Sequence, residues 1–139
     1  MPQQPKPNLR SISALPDFAF VVGQTLENTE DQHQAFSEVR EKPWLLDDGL
    51  VARVIRVFET QLDDLSLFDQ QFAHWQESEL DSSQEQEVSR LIGQAARTRT
   101  LTESILTLAH ELKENTIEQI LSRDDAQLGL DMLLGKLKP

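Results

Sequence analysis

From Val51 to Trp75 the residues Val51, Val54, Ile55, Phe58, Leu62, Leu65, Phe68, Phe72 and Trp75 recur at spacings of three and four. That is the period at which one face of an α-helix repeats, so the spacing predicts a long amphipathic helix from about Asp48 to Gln76, capped by Asp47 or Asp48. The polar run from Glu77 to Glu85 reads as a reversal, with Ser82 or Ser83 capping a return helix over about Gln84 to Ser122. On that return helix two heptad-spaced rows stand side by side. One is Val88, Ala95, Thr102 and Ala109; the other is Leu91, Thr98, Ile105 and Leu112. Small residues along the first row predict a close approach of helix axes, and the two threonines are expected to turn their hydroxyls onto carbonyls one turn earlier. Asn115 or Thr116, followed by Gln119, marks either a new cap or an irregularity within the same helix.

Upstream, Leu15, Phe18, Val22 and Leu26 predict a short helix from Pro16 to about Glu27, although Phe18 to Val22 also has the composition of a strand. Thr29 with Gln32 has the form of a capping box, predicting a second short helix to about Glu41, where Pro43 forbids Lys42 a helical conformation. Trp44, Leu45 and Leu46 are expected to pack the connection. Asp124 and Asp125 resemble a cap for a last helix, with Leu130, Leu133, Leu134 and Leu137 on one face. The first residues hold Pro2, Pro5 and Pro7 among polar side chains and predict a disordered tail over 1–14. The fold class expected is therefore all-α: a long antiparallel helical hairpin completed by short helices into a bundle of about four to five helices, in a single domain over 15–139.

Composition adds a sign to this architecture. Thirteen Lys and Arg against 24 Asp and Glu give a net charge of −11 over 139 residues. Such a chain is repelled by nucleic acid and anionic lipid and favours basic partners. The charge is uneven along the sequence: Glu59, Asp63, Asp64, Asp69, Glu77, Glu79, Asp81, Glu85 and Glu87 lie between Val57 and Ser89, with no Lys or Arg among them. One end of the hairpin should thus be acidic. There is no Cys, no apolar run long enough for a membrane span, and no signal-peptide core before Leu9. The expected location is the cytoplasm, as for a bacterial-type accessory protein.

Candidate chemistry is sparse. Glu30 and His33 supply half of a di-iron carboxylate–histidine pattern, but neither His74 nor His110 has a carboxylate three residues before it. Glu38 with Glu41, and Asp63 with Asp64, approximate the carboxylate pairs that hold Mg²⁺ in helical nucleotide hydrolases. No Ser has the flanking glycines of a nucleophile elbow. No catalytic, cofactor-binding or metal-ligating residue is assigned, and no cofactor is expected. The reading favoured is a non-catalytic protein-interaction module: an accessory, chaperone-like or regulatory helical protein, forming a homodimer and binding another, basic, protein. Its contact residues would be Asp63, Asp64, Asp69, Glu77 and Glu79 at the acidic end, and Leu130, Leu133, Leu134 and Leu137 in the last helix. The alternative is a metal-dependent helical-bundle enzyme acting on nucleotides.

Overall fold

The structure, a computed structural model, describes residues 8–122. Among the described residues there is no strand, and three long helices dominate: α1 (Leu15–Val39), α2 (Asp48–Gln76) and α3 (Ser82–Lys113). The hairpin expected from the hydrophobic period is present as α2 and α3. The last predicted helix, with Leu130, Leu133, Leu134 and Leu137, lies outside the described residues, as do residues 1–7 of the predicted tail.

The two short N-terminal helices are one. α1 runs unbroken through Thr29, whose hydroxyl donates to the Thr25 carbonyl at 2.7 Å instead of capping a new helix. The Thr29–Gln32 spacing imitates a capping box, yet nothing between Glu27 and Thr29 stops the preceding helix, so no amide is orphaned there for a cap to satisfy. At its other end the helix stops as expected. Lys42, before Pro43, takes φ −133° and ψ 59°, outside helical space. Of the three apolar residues in the connection only Leu46 is buried; Trp44 and Leu45 are exposed.

Asp47 caps α2 by accepting the Leu50 amide at 2.6 Å. At α3 the cap is Asp81 and not either serine: its carboxylate accepts the Gln84 amide at 2.7 Å, while the Gln84 side chain accepts the Asp81 amide at 3.0 Å. This reciprocal pairing satisfies two orphan donors at once, which a lone serine does not. α3 ends at Lys113, and the chain is helical again over 117–122. That corner is tied to the start of α2. The Ile117 amide donates to the Leu46 carbonyl at 2.9 Å, Glu118 accepts the Asp48 amide at 2.9 Å, and the Asp48 carboxylate receives Thr116 Oγ1 and, at 3.3 Å, Gln119 Nε2.

α3 is the central element. α1 and α2 each pack closely on it and more loosely on each other. α1 runs parallel to α3, because Glu30, His33 and Arg40 meet Arg97, Ser104 and Glu111 in step. α2 runs antiparallel to both. Every residue of the two heptad-spaced rows of α3 is buried, since α3 needs one row for each neighbour. Two apolar clusters result. One gathers Phe36, Val51, Val54, Phe58, Ile105 and Leu112; the other, at the hairpin bend, gathers Leu15, Val22, Leu65, Phe72, Trp75 and Leu91. Between them lies a polar waist, where Gln61 Nε2 donates to the hydroxyls of Thr29 (3.0 Å) and Thr102 (2.7 Å) and so joins all three helices.

The segment Arg10 to Ala14, within the predicted tail, is held against the bend. Buried Gln71 accepts the Arg10 amide at 2.7 Å and donates to its carbonyl at 3.1 Å, and Trp75 Nε1 donates to the same carbonyl at 3.0 Å. Pro-rich composition sets no order by itself, but a buried glutamine that meets both backbone groups of one residue fixes the chain at that point.

Candidate functional site: a groove between the first and second helices

Because α1 and α2 both lean on α3, their opposite sides diverge and leave a groove facing away from it. Two contiguous hollows of about 340 and 260 Å³ form this groove and share Gln61. The larger is lined by Asn28, Thr29 and Gln32 of α1 and by Leu50, Arg53, Val54, Val57 and Phe58 of α2. The smaller is lined by Val21 and Thr25 of α1 and by Asp64, Leu65, Leu67 and Phe68 of α2. Val57 and Leu67 are about half exposed, at 51% and 50%, and Val21 and Leu50 are scarcely less open. From Leu50 to Phe68 the α2 wall rises about 27 Å at the usual helical pitch. The groove is therefore a long apolar trough with the Gln61–Thr29–Thr102 network at the middle of its floor.

Its charges are polarised. Arg53 lines the end nearer the start of α2, with exposed Arg56 one turn round, and Asp64 lines the other end, with exposed Asp63 beside it. Sequence periodicity alone passed over this surface, because Leu50, Val57 and Leu67 fall outside the principal apolar stripe of α2. The signal was nevertheless there: these residues widen the apolar arc beyond what one neighbouring helix covers.

The acidic residues singled out by sequence are exposed apart from half-buried Glu87, and they do not form one cluster. Asp63 and Asp64 lie at mid-helix, about 20 Å along the axis from Glu77 at the end of α2. The stretch that lacks bases in sequence acquires them in space. Asp69 pairs with Arg99 of α3 at 2.7 Å, Glu87 pairs with Arg90, and Asp81 is engaged as a cap. Among the described residues Asp63, Asp64, Glu77 and Glu79 have no ion pair. Glu87 is held below the usual carboxylate range by the Arg90 guanidinium, which donates to both of its oxygens at 2.5 and 3.0 Å; partial burial acts the other way.

The histidines do not converge. His33 Nε2 lies 3.0 Å from Ser104 Oγ in a polar cleft between α1 and α3, and His74 and His110 are exposed. Both His33 and Ser104 sit in helix interiors, where neighbouring amides are already bonded within the helix, so no preorganised donor pair faces the serine. Glu30 turns to Arg97 at 3.8 Å and not to His33. Among the described residues no three His, Asp or Glu side chains come together to hold a metal ion. Nor is any described helix long and apolar enough to cross a membrane. No family model, curated protein or solved structure matches the chain.

Proposed function

We propose that the chain is a non-catalytic protein-interaction module, and that the groove between α1 and α2 receives an amphipathic helical segment of a partner protein. The observation that carries this reading is the continuous apolar trough, about five helical turns long, whose Val57 and Leu67 are half exposed. Isolated surface valines and leucines need no explanation, whereas a lined groove of matching helical length does. Asp64, which lines the smaller hollow and has no ion pair among the described residues, favours a segment carrying a basic residue there, and Asp63 on the neighbouring outer face adds the same sign. Glu77 and Glu79 extend the same sign toward the bend.

The experiment is capture from native extract by the tagged full chain, run beside Val57→Glu and the pair Asp63→Asn/Asp64→Asn. A partner retained by the wild type should be lost with Val57→Glu, and its release should need less salt when the two aspartates are neutralised. Equal retention by the wild type and the Val57→Glu variant, or no specific retention by the wild type, rules out this reading.

A further inference from the structure

We infer that the α2 rim of this groove is self-complementary: two copies of the chain pair with α2 laid antiparallel on α2 about a twofold axis, so that their grooves face each other. The inference rests on the reading of the groove as a docking surface and names a second copy as its occupant. Leu50, Arg53, Val57, Thr60, Asp64 and Leu67 follow one another at alternating spacings of three and four, and all are exposed. That is the spacing of a coiled-coil seam. It forms a second stripe on α2, beside the one that packs on α3, and it lies uncovered for about five turns.

The order of residues along the seam selects its partner. Two antiparallel helices advance by the same rise in opposite directions, so an axis level with the gap between Val57 and Thr60 sets Leu50 opposite Leu67 of the second copy, Arg53 opposite its Asp64, and Val57 opposite its Thr60. In the next row outward, on the side away from α1, Arg56 comes beside Asp63 of the second copy. Among the described residues Arg53, Arg56, Asp63 and Asp64 have no ion pair within one chain. Across the axis each finds an opposite charge. The Thr60 hydroxyl already donates to the Arg56 carbonyl at 3.0 Å, so covering it strands no donor. Other arrangements fail on the same residues. Parallel pairing in register sets Arg53 on Arg53 and Asp64 on Asp64, and sliding the antiparallel pair by one heptad sets Arg53 on Val57 or Thr60 on Asp64. The leucines and Val57 supply the buried area, while the charges in and beside the seam fix direction and register more than affinity, so the dimer should dissociate on dilution. A foreign helix would gain the groove only in competition with the second copy.

The test is sedimentation equilibrium of the full chain over a dilution series reaching millimolar concentration, for the wild type, Arg53→Asp, Asp64→Arg and an equimolar mixture of the two variants, each first checked for unchanged helix content. A wild-type dimer is expected. Each single variant sets like charges opposite one another at both ends of the seam and should raise the dissociation constant at least ~10-fold. In the mixture every like pair becomes an opposite pair again, and a mixed dimer of wild-type strength should return. A wild type with the mass of one chain throughout, single variants that associate as the wild type does, or a mixture that stays monomeric would each overturn the inference. If either swap lowers helix content, Arg53→Gln combined with Asp64→Asn takes its place; a weaker dimer with a shallower salt dependence is expected, and an unchanged salt dependence overturns the inference. A monomeric wild type leaves capture of another protein intact, and capture that retains only the chain itself leaves the dimer intact, so the two readings fail separately.

Discussion

The side of α2 that faces α3 and the side that faces the groove are both apolar, yet one is sealed and the other open. On the sealed side Val51 and Phe72 are about 1% exposed against α3 residues that are themselves inaccessible, whereas Val57 and Leu67 on the groove side are half exposed. The cause lies in what each side meets. α3 offers Ala95, Thr102 and Ala109, which let a neighbouring backbone come close. α1 and α2 instead meet through large groups: Phe18 packs edge-on against Phe68 and Trp75, with ring centroids 5.8 and 5.1 Å apart, and Gln61 spans to Thr29. Bulk between two helices holds their axes apart. A hydrophobic stripe thus says which face wants cover, and the size of the opposing residues decides whether it gets it.

The contrast should be largest in stability. Ile105→Ala removes a fully inaccessible side chain from the apolar cluster around Phe58 and is expected to cost about 2–5 kcal/mol. Val57→Ala, on the groove wall, should cost less than about 1 kcal/mol, since half of that side chain already faces outward. Urea unfolding of the two variants with a common m-value measures both. Equal losses would mean that the groove is covered in the native protein to the same degree as the core.

The sealed side was legible from residue spacing and the open side was not. Both heptad-spaced rows of α3 are buried as read, and Thr98 and Thr102 donate to the carbonyls one turn earlier at 2.8 and 2.7 Å. Periodicity survives into structure because it states a requirement of each helix alone. The unity of α1 was hidden because Thr29 and Gln32 satisfy a local capping pattern whose meaning depends on whether the preceding turn ends. The clasp of Gln71 on Arg10 was hidden for a different reason: its partners are 61 residues apart, and no local period reports such a pairing. The pairing of Asp69 with Arg99 was hidden in the same way, as it forms only through the antiparallel packing of α2 and α3.

At the polar waist, where the sealed and open sides share a floor, the expected effect is intermediate. Gln61→Leu deletes the amide that donates to Thr29 and Thr102, but both hydroxyls keep their own bonds to backbone carbonyls. No buried donor is stranded, so the loss should be about 1 kcal/mol, the ordinary net value of such a bond. Thr102→Val in the same background should then cost less than it does in the wild type, because its side-chain partner is already gone. Strict additivity of the two changes would show that the bridge between α2 and α3 carries no coupling, and that packing alone sets their register.

The smallest effect belongs to the charged rim at the start of α3, where Arg90 grips Glu87 with two N–H groups. The folded state holds this carboxyl below its ordinary value of 4.5, so its contribution is present above that pH and is lost as pH falls through the lowered folded value. Both side chains are open to water, and an exposed pair of this kind is worth less than about 1 kcal/mol after screening. Residue-resolved titration should show Glu87 ionising below the ordinary glutamate value of 4.5, and Arg90→Gln should raise it back toward that value while leaving the urea midpoint at pH 7 nearly unchanged. A destabilisation by Arg90→Gln as large as that of Ile105→Ala would reverse the ranking argued for the two sides of α2. The closeness of α3 to its neighbours would then depend on charge at its edge and not on the small residues along its seam.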